Sequence, residues 1–293
     1  MLRLLATASL AALILAACTP PPAEPAAGTD LAAAEDPAAE PASAETPPPA
    51  VQPEGFQLAY KLETENYEVS AGIDPAILAF DPPLAWKLWT DARAALDELG
   101  ATADADRKQA DAEQVSSGEN WFRGYTLDIT YRATAVFDDV ISVSETYSTY
   151  TGGAHPNYAL SGSVHRKGEA GALGLAAFVT DFAVFNEMVI QALVEEKLAR
   201  GFEAAARDSV EAEIREMLAP SPERPELYKG NFVLEPSTEP GKAGGITVLF
   251  SPYDVGAYAE GSYEVTLSAT DLLPILTETW SGRFGGEPVV VEQ

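Results

Sequence analysis

Tyr147-Ser-Thr-Tyr-Thr-Gly-Gly-Ala-His-Pro-Asn-Tyr158 is the stretch around which the fold is organised. Gly152 and Gly153 permit backbone angles that other residues adopt only at a steric cost, and Pro156 biases His155 toward extended geometry. Alternating apolar and polar residues precede and follow the stretch, so it is predicted to connect two strands. Two interpretations stay open at this stage: a structural turn with a hydrogen-bonded histidine, or a recognition loop that presents His155 between tyrosines.

Strands on both sides of this stretch extend it into an antiparallel meander. Tyr125–Ala135 alternates strictly between apolar and polar residues, and Ile141, Val143 and Tyr147 share one face of Val140–Tyr150. A period of two is typical of half-buried strands. Further strands are predicted at Phe56–Ile73 (one or two strands), Tyr158–Arg166, Tyr228–Leu234, Ile246–Phe250, Ser262–Leu267 and, as a last edge strand, Val289–Val291.

Other segments have apolar residues at helical spacing. Residues 83–99 begin at a proline pair and are expected to end at Gly100, and residues 182–200 have Thr180 or Asp181 as N-cap. Shorter helices are predicted at Asp208–Leu218 and at residues 272–276 with Thr270 or Asp271 as cap. Since no series of parallel βαβ units is visible, the predicted fold class is α+β, with antiparallel sheets packed by amphipathic helices.

The N-terminal residues 1–17 have the layout of a signal peptide. One early cation, Arg3, precedes an apolar run that is shorter than the roughly 20 residues of a membrane span. Leu15-Ala16-Ala17-Cys18 resembles the lipobox of bacterial lipoproteins, in which the cysteine is acylated. We therefore expect a protein anchored by the Cys18 lipid on the periplasmic side of the cell envelope. In the sorting rule of proteobacterial lipoproteins, Thr19 rather than Asp after the cysteine favours the outer membrane. The alternative is a signal peptide whose boundary cysteine is incidental.

Residues 18–55 are predicted to be a disordered tether. They are rich in Pro, Ala and Glu, contain no Lys or Arg, and have almost no branched apolar side chains. Such a segment cannot bury enough surface to offset the entropy of ordering. Its proline content favours an extended chain of roughly 100 Å, at about 3 Å per residue. The tether would hold the folded part away from the lipid surface.

The folded part of the chain is strongly acidic. The whole chain has a net charge of −27, and from Phe56 onward 38 acidic residues face 17 basic ones. This charge repels nucleic acid and anionic lipid head groups, and it attracts cationic partners. Acidity that serves only solubility is the alternative. With Cys18 as the only cysteine, the mature chain has no internal disulfide, so its stability must come from its core.

Known catalytic motifs are absent from the sequence. It contains no Gly-x-Ser-x-Gly, no His-Glu-x-x-His, no Walker loop and no dinucleotide fingerprint. His155 and His165 are the only histidines, and about 3.3 Å per strand residue would place them roughly 25 Å apart across the hairpin. We therefore predict no catalytic residue, no metal ligand and no cofactor.

Two motifs resemble the PdaC/RsiV-like superfamily. Residues 147–156 are similar to its Tyr-x-x-x-x-Gly-Gly-Ala-His signature, and Phe250–Gly261 is similar to its C-terminal strand-turn segment. The resemblance implies a PdaC-type domain at 56–168 and an RsiV-like C-terminal domain of unknown function at 169–293. The superfamily includes peptidoglycan deacetylase C and the anti-sigma factor RsiV, which senses lysozyme by binding it. Neither the deacetylase domain nor the transmembrane segment of those proteins is found here.

The resemblance implies a binding module for a cell-wall component such as peptidoglycan, or for a basic, lysozyme-like wall-acting protein. A cell-wall hydrolase with an unrecognised site near His155 and an envelope scaffold are the alternatives. Tyrosines that flank the motifs could equally pack internally. The candidate binding residues are Tyr147, Tyr150, Gly152, Gly153, His155, Tyr158, Tyr253 and Tyr258.

Overall fold

Two β-sheets and the helices packed on them make up the computed structural model, which describes residues 51–201, 207–219 and 230–290. All of these residues belong to one compact unit, Pro49–Gln293. The strands are β1 (Ala59–Glu63), β2 (Tyr67–Ile73), β3 (Tyr125–Val136), β4 (Val140–Tyr150), β5 (Asn157–Arg166), β6 (Phe232–Pro236), β7 (Ala243–Phe250) and β8 (Tyr263–Ser268). The helices are α1 (Pro75–Phe80), α2 (Pro82–Ser117), α3 (Phe182–Arg200), α4 (Arg207–Met217), α5 (Ala269–Leu272) and α6 (Glu278–Ser281).

The strand pairing confirms the α+β prediction with one correction. The first sheet has the order β1-β2-β3-β4-β5 and the second has the order β6-β7-β8. All adjacent strands are antiparallel except β2 and β3, which are parallel. A parallel pair requires a long crossover, and here α1 and α2 provide it. The expectation of antiparallel pairing throughout was therefore wrong at this one position.

Helix α2 is twice as long as its apolar spacing predicted. It passes through Gly100 and ends at Ser117, where Gly118 caps it with φ 78°. A Cβ on Gly100 would lie 2.8 Å from Cζ of Tyr67, so this glycine permits the Tyr67 ring to approach the helix. The prediction that Gly100 ends the helix was wrong because the glycine serves packing.

Two hydrophobic cores lie between the helices and the sheets, one for each sheet. The first is formed by α1 and α2 against the strands of the first sheet, and it includes Trp89 and Leu96. The second is formed by α3 and α4 against the second sheet, and it includes Phe185, Leu193 and Trp280. Trp89 is buried in the first core and anchors its helix on the sheet.

Strand β6 lies at the edge of the second sheet, and side chains of the first sheet form hydrogen bonds with its backbone groups. The N–H of Leu234 donates to Oγ of Ser142 at 2.8 Å, and Oγ1 of Thr134 donates to the Leu234 carbonyl at 3.1 Å. A Cβ on Gly162 would lie 2.6 Å from the Phe232 carbonyl oxygen. The two sheets are thus in direct contact. The division into domains at residues 168 and 169, which falls between the sheets, stays a prediction.

Boundaries after residue 170 agree with the sequence except near the C-terminus. Asp181 caps α3 by accepting from the N–H groups of Ala183 and Val184, as predicted. The cap of α5 is Ser268, and Pro274 keeps the following turn from continuing this helix.

At the second sheet, β6 begins at Phe232, and residues 228 and 229 lie outside the described ranges. In place of the predicted edge strand, Val289 makes one backbone hydrogen bond to Pro236, and residue 291 lies outside the described ranges.

The predicted signal peptide, Cys18 and most of the tether precede the described residues. Among the helices within the described ranges, none has both the length and the apolar character needed to cross a bilayer.

Candidate functional site

The connection between β4 and β5 is the turn that the sequence predicted. Residues 151–156, here called the His loop, follow the last cross-strand pair, Thr149 with Asn157. Gly152 has φ 90°, in the left-handed region where a side chain is strained. A Cβ at this position would also lie 3.9 Å from Cβ of Arg123 and 3.9 Å from Cε1 of Tyr125. Gly152 therefore fits a conformation that other residues adopt only with strain.

The connection between β7 and β8 forms the second half of the site. Residues 251–262, here called the Tyr loop, begin with a tight turn in which the N–H of Ser251 donates to Oδ2 of Asp254 at 2.7 Å. Within the described ranges, Tyr253 is the one non-glycine residue with positive φ, at 75°. Its side chain is 59% exposed. A bulky residue held in this region costs about 1–3 kcal/mol, and such strain concentrates at functional sites.

Four aromatic rings from the two loops and their flanks meet in one group. The ring of His155 stacks on Tyr258 with centroids 3.9 Å apart. The ring centroids of Tyr253 and Tyr258 are 5.5 Å apart, with the two ring planes tilted against each other. Those of Tyr158 and Tyr258 are 6.2 Å apart in an edge-to-face arrangement. We call His155, Tyr158, Tyr253 and Tyr258 the aromatic cluster. It joins two motifs that are about 100 residues apart in sequence.

Hydrogen bonds fix the aromatic cluster from both loops. The hydroxyl of Tyr258 donates to the Pro156 carbonyl, and the N–H of Ser262 donates to the Tyr158 hydroxyl at 3.1 Å. Gly261 has φ 78°, and a Cβ there would lie 3.2 Å from the Tyr158 hydroxyl. In the His loop, Nδ1 of His155 lies 2.9 Å from the Pro156 carbonyl and donates to it in the tautomer protonated at that nitrogen. The cluster is therefore preorganised.

A buried ion pair supports the Tyr loop from the inside. Nζ of Lys197, near the end of α3, lies 3.1 Å from Oε2 of Glu260, and both side chains are largely buried. Burial opposes ionisation of Glu260, but hydrogen bonds from the Tyr263 hydroxyl, the Ala257 N–H and Lys197 outweigh it and hold the pKa of this carboxyl below its usual value. Arg200 stacks on the Tyr263 ring at 4.0 Å. This support was not predicted.

Two of the predicted tyrosines lie outside the aromatic cluster. Tyr147 packs against the first core on the side of the sheet that α2 covers. Tyr150 ends β4 opposite Thr126, and it shares its sheet face with Tyr158, because Ser148 pairs with Tyr158. The structure thus brings together His155, Tyr158, Tyr253 and Tyr258, but Tyr147 is partly buried against the first core.

The two histidines occupy different environments. His155 is exposed on its loop, whereas His165 is buried on β5 with Nε2 2.9 Å from Oγ of Ser163. Burial and the nearby Lys87 lower the pKa of His165, against the opposing effect of Asp81. Within the described ranges, no three potential metal-ligating side chains lie close enough to hold an ion.

Comparisons with known proteins find several similar solved structures, and two of them are members of one family. No protein-family model matches the chain, and no curated protein matches it. One solved structure is a DUF3298 family protein from Pseudomonas aeruginosa PAO1, with 14% identity, 78% of this chain and 94% of that chain covered, and a TM-score of 0.48.

The other solved structure is a member of the same family from Bacteroides fragilis NCTC 9343, with 17% identity, the same coverage of 78% and 94%, and a TM-score of 0.47. DUF3298 is the family of the C-terminal domain of PdaC/RsiV-like proteins. At these identities and TM-scores the likeness assigns no ligand and no residue role.

Proposed function

We propose that this chain is a lipid-anchored extracytoplasmic binding module and that the aromatic cluster is its contact surface. The observation that supports this most directly is Tyr253, an exposed aromatic residue held at positive φ with its ring beside that of Tyr258. More than half of this strained tyrosine stays exposed, so packing within its own chain uses only part of its surface. Tyrosine is enriched among the residues that dominate binding energy at protein interfaces.

The groups around the aromatic cluster favour binding over catalysis. Hydrogen bonds hold the hydroxyls of Tyr158 and Tyr258 in place, and His155 contacts a ring face and a carbonyl oxygen. A catalytic base needs a nucleophile or a water-activating partner within hydrogen-bond reach. The contacts of His155 in the described residues include neither, whereas stacked rings offer flat faces to a partner.

We propose a basic protein of the lysozyme type as the partner, with peptidoglycan as the second candidate. The acidic surplus from Phe56 onward would speed the encounter with a cation, and salt would weaken it. Tyrosine faces also attract Lys and Arg side chains, by about 0.5–2 kcal/mol per contact. The resemblance to a lysozyme-sensing receptor points to the same partner.

The test is a titration of the full-length chain, purified in mild detergent, with a c-type lysozyme. We expect binding at low salt that weakens as salt rises, and a Tyr253→Ala variant with at least tenfold lower affinity. The matched control is Val289→Ala, which alters an exposed apolar residue outside both loops. An unrelated protein of equal basicity shows how much binding is due to charge alone. Equal affinity for both basic proteins would refute the proposed partner.

The anchor is tested separately. Leu15-Ala16-Ala17-Cys18 predicts that Cys18→Ala removes the acyl group and prevents cleavage by the lipoprotein peptidase. We expect the variant to lack the lipid mass in intact-protein mass spectrometry and to retain residues 1–17. A Ser43→Ala variant in the tether serves as the control. An unmodified N-terminus on mature wild-type protein would contradict lipidation.

A further inference from the structure

A second exposed aromatic residue lies on the other side of the His loop. Trp121 follows the C-terminal cap of α2 and is 45% exposed. Its indole Nε1–H donates to Oε2 of Glu113 at 2.7 Å, and Oε1 of Glu113 accepts from Gln109 at 2.9 Å. Those two hydrogen bonds hold the pKa of the Glu113 carboxyl below its usual value. Trp121 is thus displayed in a fixed orientation beside an ionised carboxylate.

The segment that carries Trp121 is held by several side chains. Nδ2 of Asn120 donates to Asp111 at 3.0 Å and to Gln114 at 2.9 Å. NH1 of Arg123 donates to the carbonyl of Asn120 at 3.2 Å. An exposed tryptophan on an ordered segment loses little freedom on binding, and tryptophan is among the most frequent hot-spot residues.

Aromatic contacts link Trp121 to the His loop. The ring of Trp121 lies 6.4 Å from that of Phe122, which lies 5.2 Å from that of Tyr125. Tyr125 in turn lies beside the His loop, since a Cβ added to Gly152 would be 3.9 Å from Cε1 of the ring. On its other flank, the His loop stacks His155 on Tyr258. Trp121 and the aromatic cluster therefore flank the His loop from two sides.

The size and charge of this surface indicate its partner. A stable protein interface buries about 800 Å² on each side, whereas an aromatic side chain supplies only about 150–250 Å² even when it is fully buried. Tyr158 and Tyr258 are already half-buried in the chain itself, so the aromatic cluster exposes less than four rings could supply, and the addition of Trp121 enlarges the surface. Residues 101–124, which carry Trp121, have five acidic and three basic side chains. Charge complementarity favours a cationic protein face over a neutral polymer.

We propose that Trp121, oriented by Glu113, is a second anchor for the same partner, and that the surface from Trp121 across the His loop to Tyr253 binds the cationic face of a protein. This inference rests on the proposed function, because it assumes that the aromatic cluster binds a basic protein. Trp121 has no counterpart in either sequence motif.

The experiment compares variants of the full-length chain in the same lysozyme titration. We expect Trp121→Ala to weaken binding at least tenfold, and Glu113→Gln to weaken it by a smaller factor. The matched control is Val115→Ala, a residue at the end of α2 that is 90% exposed, and we expect its affinity to stay within twofold of wild type. Thermal melting of each variant verifies that its fold is intact. The double variant Trp121→Ala with Tyr253→Ala should show the product of the two single effects, as distant sites do.

The outcomes show whether the second anchor, the lysozyme-type partner or both are wrong. If Tyr253→Ala weakens lysozyme binding and Trp121→Ala does not, the second anchor is wrong and the proposed function stands. If the wild type does not bind lysozyme at all, the lysozyme-type partner and the second anchor both fail, and peptidoglycan becomes the candidate ligand. Sedimentation with purified peptidoglycan is the parallel measurement. Trp121-dependent sedimentation without lysozyme binding would replace the cationic protein by the polymer and overturn the inference.

Discussion

Replacing Leu193 by aspartate should unfold the chain under conditions in which the wild type is stable. Leu193 lies in the middle of α3, is 0% exposed and belongs to the second core. Removing a buried leucine side chain costs about 2–5 kcal/mol, and the new carboxylate adds the cost of an unpaired buried charge. A loss of about 5 kcal/mol or more equals the whole stability of many domains.

The measurement is urea denaturation followed by circular dichroism. Val184→Asp is the matched control, because Val184 lies in the first turn of the same helix and is 42% exposed. An acidic residue near a helix N-terminus interacts favourably with the helix dipole, so this variant should lie within about 0.5 kcal/mol of wild type. Thermal melting is the second measurement. If the melting temperature of Leu193→Asp lies within a degree or two of that of wild type, the burial of the apolar stripe of α3 is contradicted.

The sequence was sufficient for elements whose signals are local. The hairpin of β4 and β5 follows from strict alternation and from Gly152, and α3 follows from its apolar stripe and from the N-cap Asp181. In each case neighbouring residues determine the conformation. The parallel pairing of β2 with β3 depends on contacts between segments separated by α1 and α2. Periodicity within one strand is the same for either pairing direction, so this feature could not be read from the sequence.

A glycine after a helical segment can have either of two structural roles, and the sequence does not distinguish them. Gly118 ends α2 by adopting the left-handed conformation, whereas Gly100 continues the helix and makes room for the Tyr67 ring. Both follow an amphipathic helical segment. Only the position of Tyr67, which comes from tertiary packing, determines which glycine serves as the cap.

The candidate site was predictable in part. The two motifs indicated His155 and Tyr258, and the structure stacks their rings. The alternation of β4 already placed Tyr147 with Ile141 and Val143, and this face proved to be the side that α2 covers. Tyr147 was grouped with the loop because it is the tyrosine of the signature and flanks the loop in sequence, whereas strand alternation would have separated it.

Lys197 should be the polar residue on which the Tyr loop depends most. It lies four residues after Leu193 on the buried face of α3, and a lysine on an apolar stripe signals a buried partner. The structure provides Glu260 as that partner. Removing one member of a buried ion pair leaves an uncompensated charge and typically costs about 3–5 kcal/mol. We expect Lys197→Ala to lose about 3 kcal/mol, because Glu260 keeps its bonds to Tyr263 and Ala257.

A double-mutant cycle tests this expectation by urea denaturation. Glu260→Gln in the Lys197→Ala background removes the unpaired charge, so the double variant should lose less stability than the sum of the two single variants. An additive cycle would contradict the pairing. Lys61→Ala is the matched control, because Lys61 forms an exposed ion pair with Glu68 that should contribute little.

The ion pair of Lys197 with Glu260 also predicts the direction in which the free energy of unfolding changes with pH. Because the pKa of Glu260 is below its usual value of 4.5 in the folded chain, its contribution to stability is complete above that pH and is lost as the pH falls through the folded-state pKa. In Lys197→Ala the carboxyl lacks the ammonium and protonates more easily. The difference in unfolding free energy between wild type and variant should therefore shrink below about pH 4.5.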